Sequence, residues 1–232
     1  MRDVIVALDF KDRKTTIDFL DHFDGVKPFV KVGMELFYAE GPSIIKEIKE
    51  RGHKIFLDLK LHDIPNTVAG AMRNLSGLRV DIVNVHAAGG VAMMKAALEG
   101  TIGQAGARPL IVAVTQLTST NEQALKDELL IEKSMEETVL HYAKNAKKAG
   151  LNGIVCSPLE VLAVKKELGN NFVTIAPGIR FDNKNAGDQV RITTPKQAGK
   201  TGTDFIVVGR PITKAKDPQA AYNQCLQDFL ED

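Results

Sequence analysis

The sequence lacks tryptophan, has only two cysteines and three tyrosines among its 232 residues, and carries almost no net charge. Its 30 lysines and arginines nearly balance its 29 aspartates and glutamates, so no overall field draws the chain to nucleic acid or to a membrane surface. The scarcity of aromatic rings also disfavours a platform for stacking nucleic acid bases. Any anionic ligand must therefore be held by a local site, which favours small-molecule chemistry.

Neither a disulfide framework nor a secretion signal is indicated. Cys156 and Cys225 are too few and too far apart for disulfide pairing or a zinc knuckle, and we expect two buried, inert thiols. The apolar run at residues 4–8 is shorter than the roughly 7 to 15 residues of a signal peptide, and no run approaches the roughly 18 residues that span a bilayer. These features predict a soluble, cytoplasmic protein.

Eight short runs rich in β-branched residues recur along the chain. They are continuously apolar rather than alternating, as strands covered on both faces must be, and this favours a parallel sheet. Segments with helical periodicity lie between them, which indicates βαβ units. The predicted strands cover residues 4–8, 29–32, 54–59, 81–85, 110–115, 153–156, 172–175 and 204–208, and the clearest helices cover residues 41–51, 65–76, 134–149, 158–168 and 218–230.

Prolines and glycines mark several predicted helix ends. Pro42 and Pro158 stand where a first helical turn would begin. Gly52, Gly150 and Gly169 stand just past a last turn. These punctuating residues support the helix boundaries independently of propensity.

The fold predicted from this alternation is α/β, a single (β/α)8 TIM barrel that forms one catalytic domain over residues 1–232. Eight strand–helix units in a chain of this length match a closed barrel. A doubly wound open sheet usually has fewer strands and a glycine-rich turn after the first one, whereas Asp9-Phe10-Lys11 follows the first strand here. A dinucleotide-binding fold is therefore disfavoured.

Charged residues stand where the predicted strands end, which is where the active site of such a barrel is built. Asp9 closes the first strand and Lys31 lies in the second. Asp58 and Lys60 are two residues apart in the third, so their side chains emerge on one side, while Leu57 and Leu59 point to the other. The two charges therefore face the barrel mouth together.

Two interpretations of these charges compete. A salt-bridge network that only fixes the barrel would also perturb pKa values. Desolvating several charges is expensive, however, and a packed apolar layer would usually serve stability as well. A functional site is therefore the favoured interpretation.

The segment Asp58-Leu-Lys60-Leu-His-Asp63-Ile64-Pro65-Asn-Thr67 resembles the Asp-x-Lys-x-x-Asp-Ile-Pro signature of orotidine 5'-phosphate decarboxylases, in the shorter form found in bacteria. Further segments resemble other motifs of that family, in the same order along the chain. They are Val-Ala-Leu-Asp9, Val-Lys31-Val-Gly33, Thr115-Gln-Leu-Thr118-Ser119, Ala-Pro177-Gly178-Ile-Arg180 and Val-Gly209-Arg210-Pro211-Ile212. Each motif alone is weak evidence, but the ordered set is specific.

The resemblance implies that orotidine 5'-monophosphate loses the carboxylate at C6 and gains a proton there, without a metal or an organic cofactor. Lys60 is then the proton donor, and Lys31 and Asp63 complete an alternating array of charges. Asp58 acts either by electrostatic stress on the substrate carboxylate or by orienting Lys60, and orientation is the smaller claim. General acid catalysis gives about 10²- to 10⁴-fold, so charge preorganisation and remote binding energy must supply the rest.

The resemblance also assigns substrate contacts. Asp63, Ile64 and Thr67 act in the site of a neighbouring subunit, which implies a homodimer with shared active sites. Asp9 and Lys31 contact the ribose side, although a lone Asp9 at a strand end could also be a helix N-cap. The pyrimidine side is assigned to Thr118 and Ser119, and the phosphate side to Arg180, Gln189, Gly209 and Arg210. Pro177 is a further expected substrate contact.

The phosphate assignment agrees with a general property of these barrels, which often bind phosphate in the loops after the last two strands. A glycine lets a backbone N–H approach the anion, and an arginine offers two donors. Residues 180–194 are polar and long enough to form a lid over the phosphate. Among the histidines, we expect His62 and His86 to support the site, and His53 to face solvent.

Two rival functions remain from other classes. A metal-dependent sugar-phosphate lyase or aldolase could share the strand-three motif, but such relatives carry a metal-binding glutamate in strand two, where this chain has Lys31. A non-catalytic sensor of a phosphoribosyl nucleotide is compatible with the fold. It would have no need, however, to keep both Asp58 and Lys60.

Overall fold

A computed structural model describes residues 2–103, 108–181 and 191–231, and it contains a closed barrel of eight parallel strands. Each strand pairs with the next, and β8 pairs with β1 to close the ring. The strands are β1 (Asp3–Ala7), β2 (Phe29–Gly33), β3 (Ile55–Leu61), β4 (Ile82–His86), β5 (Leu110–Val114), β6 (Gly153–Val155), β7 (Val173–Ala176) and β8 (Phe205–Val208). The predicted (β/α)8 barrel is confirmed.

Both faces of the strands are buried, which explains their continuously apolar sequences. Inward side chains fill the barrel as one cluster, in which Phe29 and Phe205 meet edge to face with ring centroids 5.9 Å apart. Outward side chains such as Val30 and Leu57 pack under the helices as a second, larger cluster. The site thus rests on a rigid, double-layered scaffold.

Helices alternate with the strands and cover the barrel. Pro42, Pro65 and Pro218 occupy first helical turns, and Ser134 forms a capping box with Glu137. The helices are α1 (Arg13–Leu20), α2 (Met34–Glu40), α3 (Pro42–Glu50), α4 (Pro65–Ser76), α5 (Gly90–Gly100), α6 (Glu122–Asp127), α7 (Met135–Ala149), α8 (Val161–Leu168), α9 (Pro195–Lys200), α10 (Arg210–Thr213) and α11 (Pro218–Leu230).

Two local predictions are wrong. Pro158 does not begin a helix, because the carboxylate of Glu160 accepts the Ser157 N–H at 2.8 Å and a turn precedes α8. His53 does not face solvent: its side chain is buried, and Nδ1 lies 2.9 Å from the Pro28 carbonyl.

Other predictions from composition agree with the structure. Cys156 and Cys225 are buried free thiols, and burial raises the pKa of both, that of Cys225 to about 12. Among the described residues, no helix combines the length and the apolar character needed to cross a bilayer.

Candidate active site

The inward face of the first four strands changes from apolar to polar towards the carboxyl end. Ile5 and Ala7, Phe29, Phe56 and Ile82 belong to the apolar cluster inside the barrel. Because side chains alternate along a strand, the residue two positions later faces the same way. Those residues are Asp9, Lys31, Asp58 and Asn84.

A cavity of about 670 Å³ opens at this end of the barrel. Asp9, Lys31, Asp58 and Lys60 all line it, as the sequence predicts. The structure therefore brings together charges from β1, β2 and β3, at the end of the barrel where such folds place their chemistry.

The four charges form an alternating chain. Nζ of Lys31 lies 2.9 Å from a carboxylate oxygen of Asp9 and 3.6 Å from Oδ2 of Asp58. Nζ of Lys60 lies 2.7 Å from Oδ1 of Asp58. Each aspartate thus stands beside an ammonium group, and Asp58 bridges the two lysines.

The protonation states follow from this arrangement. Burial alone would lower the pKa of Lys31, but the charges of Asp58 and Asp9 outweigh it and the pKa is raised. Burial alone would raise the pKa of Asp58, but Lys31 and Lys60 outweigh it and the pKa is lowered. Lys31 and Asp58 are therefore both charged at neutral pH.

Gly33 makes room for the buried ammonium. A Cβ at this position would stand 2.9 Å from Nζ of Lys31, closer than side chains normally approach. A larger residue at position 33 would therefore displace the Lys31 ammonium from its place beside Asp9 and Asp58.

Lys60 has an unusual backbone conformation that Asn84 stabilises. Its φ is 51°, in the left-handed region, and the pairing of β3 with β4 shifts register between Leu57 and Leu61. The side-chain oxygen of Asn84 accepts the Lys60 N–H at 2.8 Å, and its amide donates to Oδ1 of Asp58 at 2.6 Å. Asn84 therefore holds both the backbone of Lys60 and the carboxylate that Lys60 contacts.

Asn84 was not predicted, although the sequence contains a signal for it. A polar residue interrupts the apolar run Ile82-Val83-Asn84-Val85, and it has the inward parity of Ile82. The amide is buried, with 1% exposure. A buried polar side chain at this position needs hydrogen-bond partners, and the Lys60 N–H and Asp58 provide them.

Predicted substrate-binding residues from three other strand ends also line the cavity. Arg180 is buried, and its Nη1 donates to the Ile179 carbonyl at 2.8 Å, whereas Arg210 is exposed. This part of the wall contains Thr118 and Ser119 after β5, Pro177 and Arg180 after β7, and Gly209 and Arg210 after β8.

Lys214 and Gln116 also line the cavity and were not predicted. Lys214 follows α10, so it adds a third basic side chain to the region of Arg180 and Arg210. The sequence indicates Lys214 only by its position, because a residue four places after Arg210 lies on the same face of a helical turn. Gln116 has the inward parity of β5, two residues beyond Val114.

Three predicted residues lie outside the cavity wall. Asp63, Ile64 and Thr67 are exposed between β3 and the first turn of α4 and do not line the cavity of this chain. Gln189 and most of the predicted lid lie outside the described residues. Asp9 is not a helix N-cap, because Asp12 caps α1.

His62 and His86 do not line the cavity either, although their ring centroids are 5.6 Å apart beside it. Burial, followed by the nearby charges of His62 and Lys60, lowers the pKa of His86. His86 is therefore neutral at physiological pH, which suits a supporting role.

Comparisons with known proteins agree with the motif set. Residues 2–225 match the family described as "Orotidine 5'-phosphate decarboxylase / HUMPS family". The chain is 57% identical to an orotidine 5'-phosphate decarboxylase of Bacillus cytotoxicus over 231 residues, which are 98% of this chain and 97% of that protein.

Solved structures are similar over the whole length. A crystal structure of orotidine 5'-phosphate decarboxylase from Lactobacillus acidophilus has a TM-score of 0.90 at 42% identity and covers 100% of both chains. A crystal structure of an uncharacterized conserved protein from Geobacillus kaustophilus has a TM-score of 0.87 at 46% identity, covering 97% of this chain and 99% of that one.

Proposed function

Because the chain belongs to the orotidine 5'-phosphate decarboxylase / HUMPS family, we propose that it converts orotidine 5'-monophosphate into uridine 5'-monophosphate and CO2, with Lys60 protonating C6. The family assignment confirms the resemblance found in the sequence, and with it an enzyme of pyrimidine biosynthesis. The observation that supports the mechanism is the Lys31, Asp58 and Lys60 array that lines the cavity.

The reaction needs one bond broken and one formed at C6. The bond to the carboxylate breaks, CO2 leaves, and the electron pair stays on C6. The ammonium of Lys60 stabilises this developing negative charge and then donates its proton to C6. The resulting neutral amine regains a proton from solvent.

Asp58 orients the proton donor. Its carboxylate is charged, lies 2.7 Å from Nζ of Lys60, and is itself fixed by Asn84. A donor held in this way needs little reorganisation when charge develops on the substrate. In the proposed complex the departing carboxylate would lie against Asp58, and stress on the bound reactant is the alternative to this orienting role.

The basic side chains across the cavity bind the phosphate. Arg180, Arg210 and Lys214 line the part formed by the last two strand ends, together with Gly209. Binding energy gained at this distant group supports catalysis only where it holds the pyrimidine against the charged array. The barrel strands connect the phosphate-binding side chains to the charged array.

The site needs no metal ion. Lys31 occupies the place in strand two where metal-dependent relatives have a glutamate, and its ammonium is 3.6 Å from Asp58. A divalent cation bound to Asp58 would therefore meet a like charge at close range. The ammonium groups take over the charge stabilisation that a metal would supply.

A homodimer with shared active sites completes the array. Asp63, Ile64 and Thr67 are exposed on one short segment, and Ile64 is 67% exposed although it is apolar. This segment would contribute Asp63 to the cavity of a second copy of the chain. Sedimentation of the purified protein measures its mass in solution. The mass of a single chain at the concentration of the assay would overturn the homodimer.

The reaction is tested by following the ultraviolet spectrum of orotidine 5'-monophosphate with purified protein in excess EDTA. We expect the wild type to produce the uridine 5'-monophosphate spectrum, and Lys60→Ala to lose at least about 10³-fold in kcat, since it removes both the acid and a positive charge. Activity that returns only with magnesium would favour the lyase function. No turnover under either condition, with nucleotide binding retained, would favour the sensor.

A further inference from the structure

Arg191 joins three loops at the carboxyl end of the barrel. It lies between β7 and α9, and its Nη1 donates to Oε1 of Glu160 in the turn after β6. Its Nη2 donates to the carbonyl of Leu117 at 2.9 Å and, more weakly, to that of Gln116 at 3.4 Å, both after β5. One guanidinium thus fixes the loops after three successive strands relative to one another.

The pair that anchors Arg191 is buried. The side chains of Arg191 and Glu160 are only 11% and 6% exposed. The second oxygen of Glu160 accepts the Ser157 N–H at 2.8 Å, so the carboxylate is held from both sides. A planar guanidinium offers donors in fixed directions, so one nitrogen can bind the carboxylate while another binds carbonyls.

The loop that Arg191 holds forms part of the cavity wall, since residues 116–119 all line it. The loop begins at Thr115, whose hydroxyl donates to the Val155 carbonyl at 2.9 Å, and it turns where the Thr120 N–H donates to the Leu117 carbonyl at 3.0 Å. Between these two points, Arg191 binds successive carbonyls from outside the loop. Its contacts therefore determine how far the wall stands from the barrel axis.

We propose that Arg191 is a positioning residue that holds residues 116–119 against the pyrimidine of the substrate. This inference rests on the proposed function and on the motif resemblance, which assigns Thr118 and Ser119 to the pyrimidine side. Arg191 does not line the cavity, so it acts through the loop backbone. Its loss loosens the pyrimidine wall and leaves the contacts of Arg180 and Arg210 to the phosphate in place.

Calorimetric titration with uridine 5'-monophosphate and with ribose 5-phosphate tests this role, because the second ligand has the phosphate but no pyrimidine. We expect Arg191→Met to bind the nucleotide on the order of tenfold more weakly and ribose 5-phosphate as the wild type does. Arg191→Lys keeps the charge without the planar guanidinium. Its affinity for the nucleotide should lie between those of the wild type and Arg191→Met. Equal weakening of both ligands, or of neither, would overturn the proposal.

Lys165→Met is the matched control, because it removes the cation of another buried pair, with Asp204, at the opposite end of the barrel. It should lower Tm but keep the wild-type ratio of the two affinities. A change of that ratio as large as in Arg191→Met would also overturn the proposal. If Arg191→Met does not fold, Glu160→Gln carries the test and should weaken nucleotide binding in the same direction. A wild-type protein that does not bind the nucleotide would contradict the proposed function instead.

Discussion

Lysines at the two ends of the barrel have different surroundings. At the amino end, Nζ of Lys165 lies 2.6 Å from Asp204 and 3.0 Å from the carbonyls of Asn170 and Phe172. An ammonium has three N–H groups, and each of these has a protein acceptor. This lysine is saturated and offers nothing to a ligand.

At this end, side chains just before β4, β6 and β8 each accept a backbone N–H of the preceding strand. Asp81 accepts the N–H of Ile55 in β3 at 2.7 Å, and Asn152 accepts the N–H of Ile111 in β5 at 2.8 Å. Asp204 accepts an N–H of β7 in the same way, at 2.7 Å. The same type of hydrogen bond therefore fixes the register of three strand pairs, which are β3 with β4, β5 with β6 and β7 with β8.

At the carboxyl end, Lys60 has fewer acceptors. Within the described ranges, its Nζ bonds only to Asp58, and the group opens onto the cavity. The Lys60 side chain is 25% exposed, so solvent reaches the N–H groups that have no protein acceptor in those ranges. The amino end thus uses charge for structure, whereas the carboxyl end keeps the donors that the proposed function needs for a substrate.

The largest effect that this comparison predicts is on stability. Asp204→Ala removes the partner of a buried ammonium and an acceptor for a strand N–H, which should destabilise the fold by about 3–5 kcal/mol. For a chain of this size, that corresponds to a fall in Tm of roughly 6–20 °C. Calorimetry measures the Tm of the variant, and steady-state kinetics measures its kcat. A large loss of kcat in the folded variant would show that the two ends are not independent.

Asn84→Ala, at the carboxyl end, should lower kcat. It removes the acceptor of the Lys60 N–H and a donor to Asp58, so the ammonium is displaced and kcat should fall about 10²-fold. Affinity for uridine 5'-monophosphate should change little, because Asn84 does not line the cavity. Asn152→Ala is the matched control at the amino end, and it should lower Tm while leaving kcat unchanged. Equal kcat values in the two variants would contradict a positioning role for Asn84.

The sequence was sufficient for the fold because each strand carries its own local signal. Runs of β-branched residues, with Gly and Pro between them, located all eight strands to within two residues of the observed ends. The inward parity of Asp58 and Lys60 could also be counted along the chain. The same count applied to β4 would have found Asn84.

Other features depend on contacts that no local pattern records. The left-handed φ of Lys60 arises from the register shift against β4, and alternation along β3 alone gives no sign of it. Arg191 and Glu160 are 31 residues apart, and a pair at that distance leaves no periodic signal. The roles of Asp63 and Gln189 remain predictions from the motif set.

His53, just before β3 at the amino end, gives the smallest effect and links stability to pH. Its Nδ1 donates to the Pro28 carbonyl, and burial lowers the pKa of the imidazole below its usual value of about 6.5. The unfolded chain therefore takes up a proton that the folded chain does not. The contribution of His53 to stability is complete above about pH 6.5 and is lost as the pH falls towards the lowered folded pKa.

His53→Asn keeps an N–H donor and cannot titrate, so its Tm should depend less on pH below about 6.5 than that of the wild type. The lowered pKa of Asp58 gives a different window, because its contribution is lost only below about pH 3.9. His86 at the carboxyl end also has a lowered pKa, so only the difference between the melting curves of the wild type and His53→Asn reports on His53. The kcat at neutral pH should be the same in both proteins, and a parallel decline of Tm in the two would show that His53 is not the group that titrates.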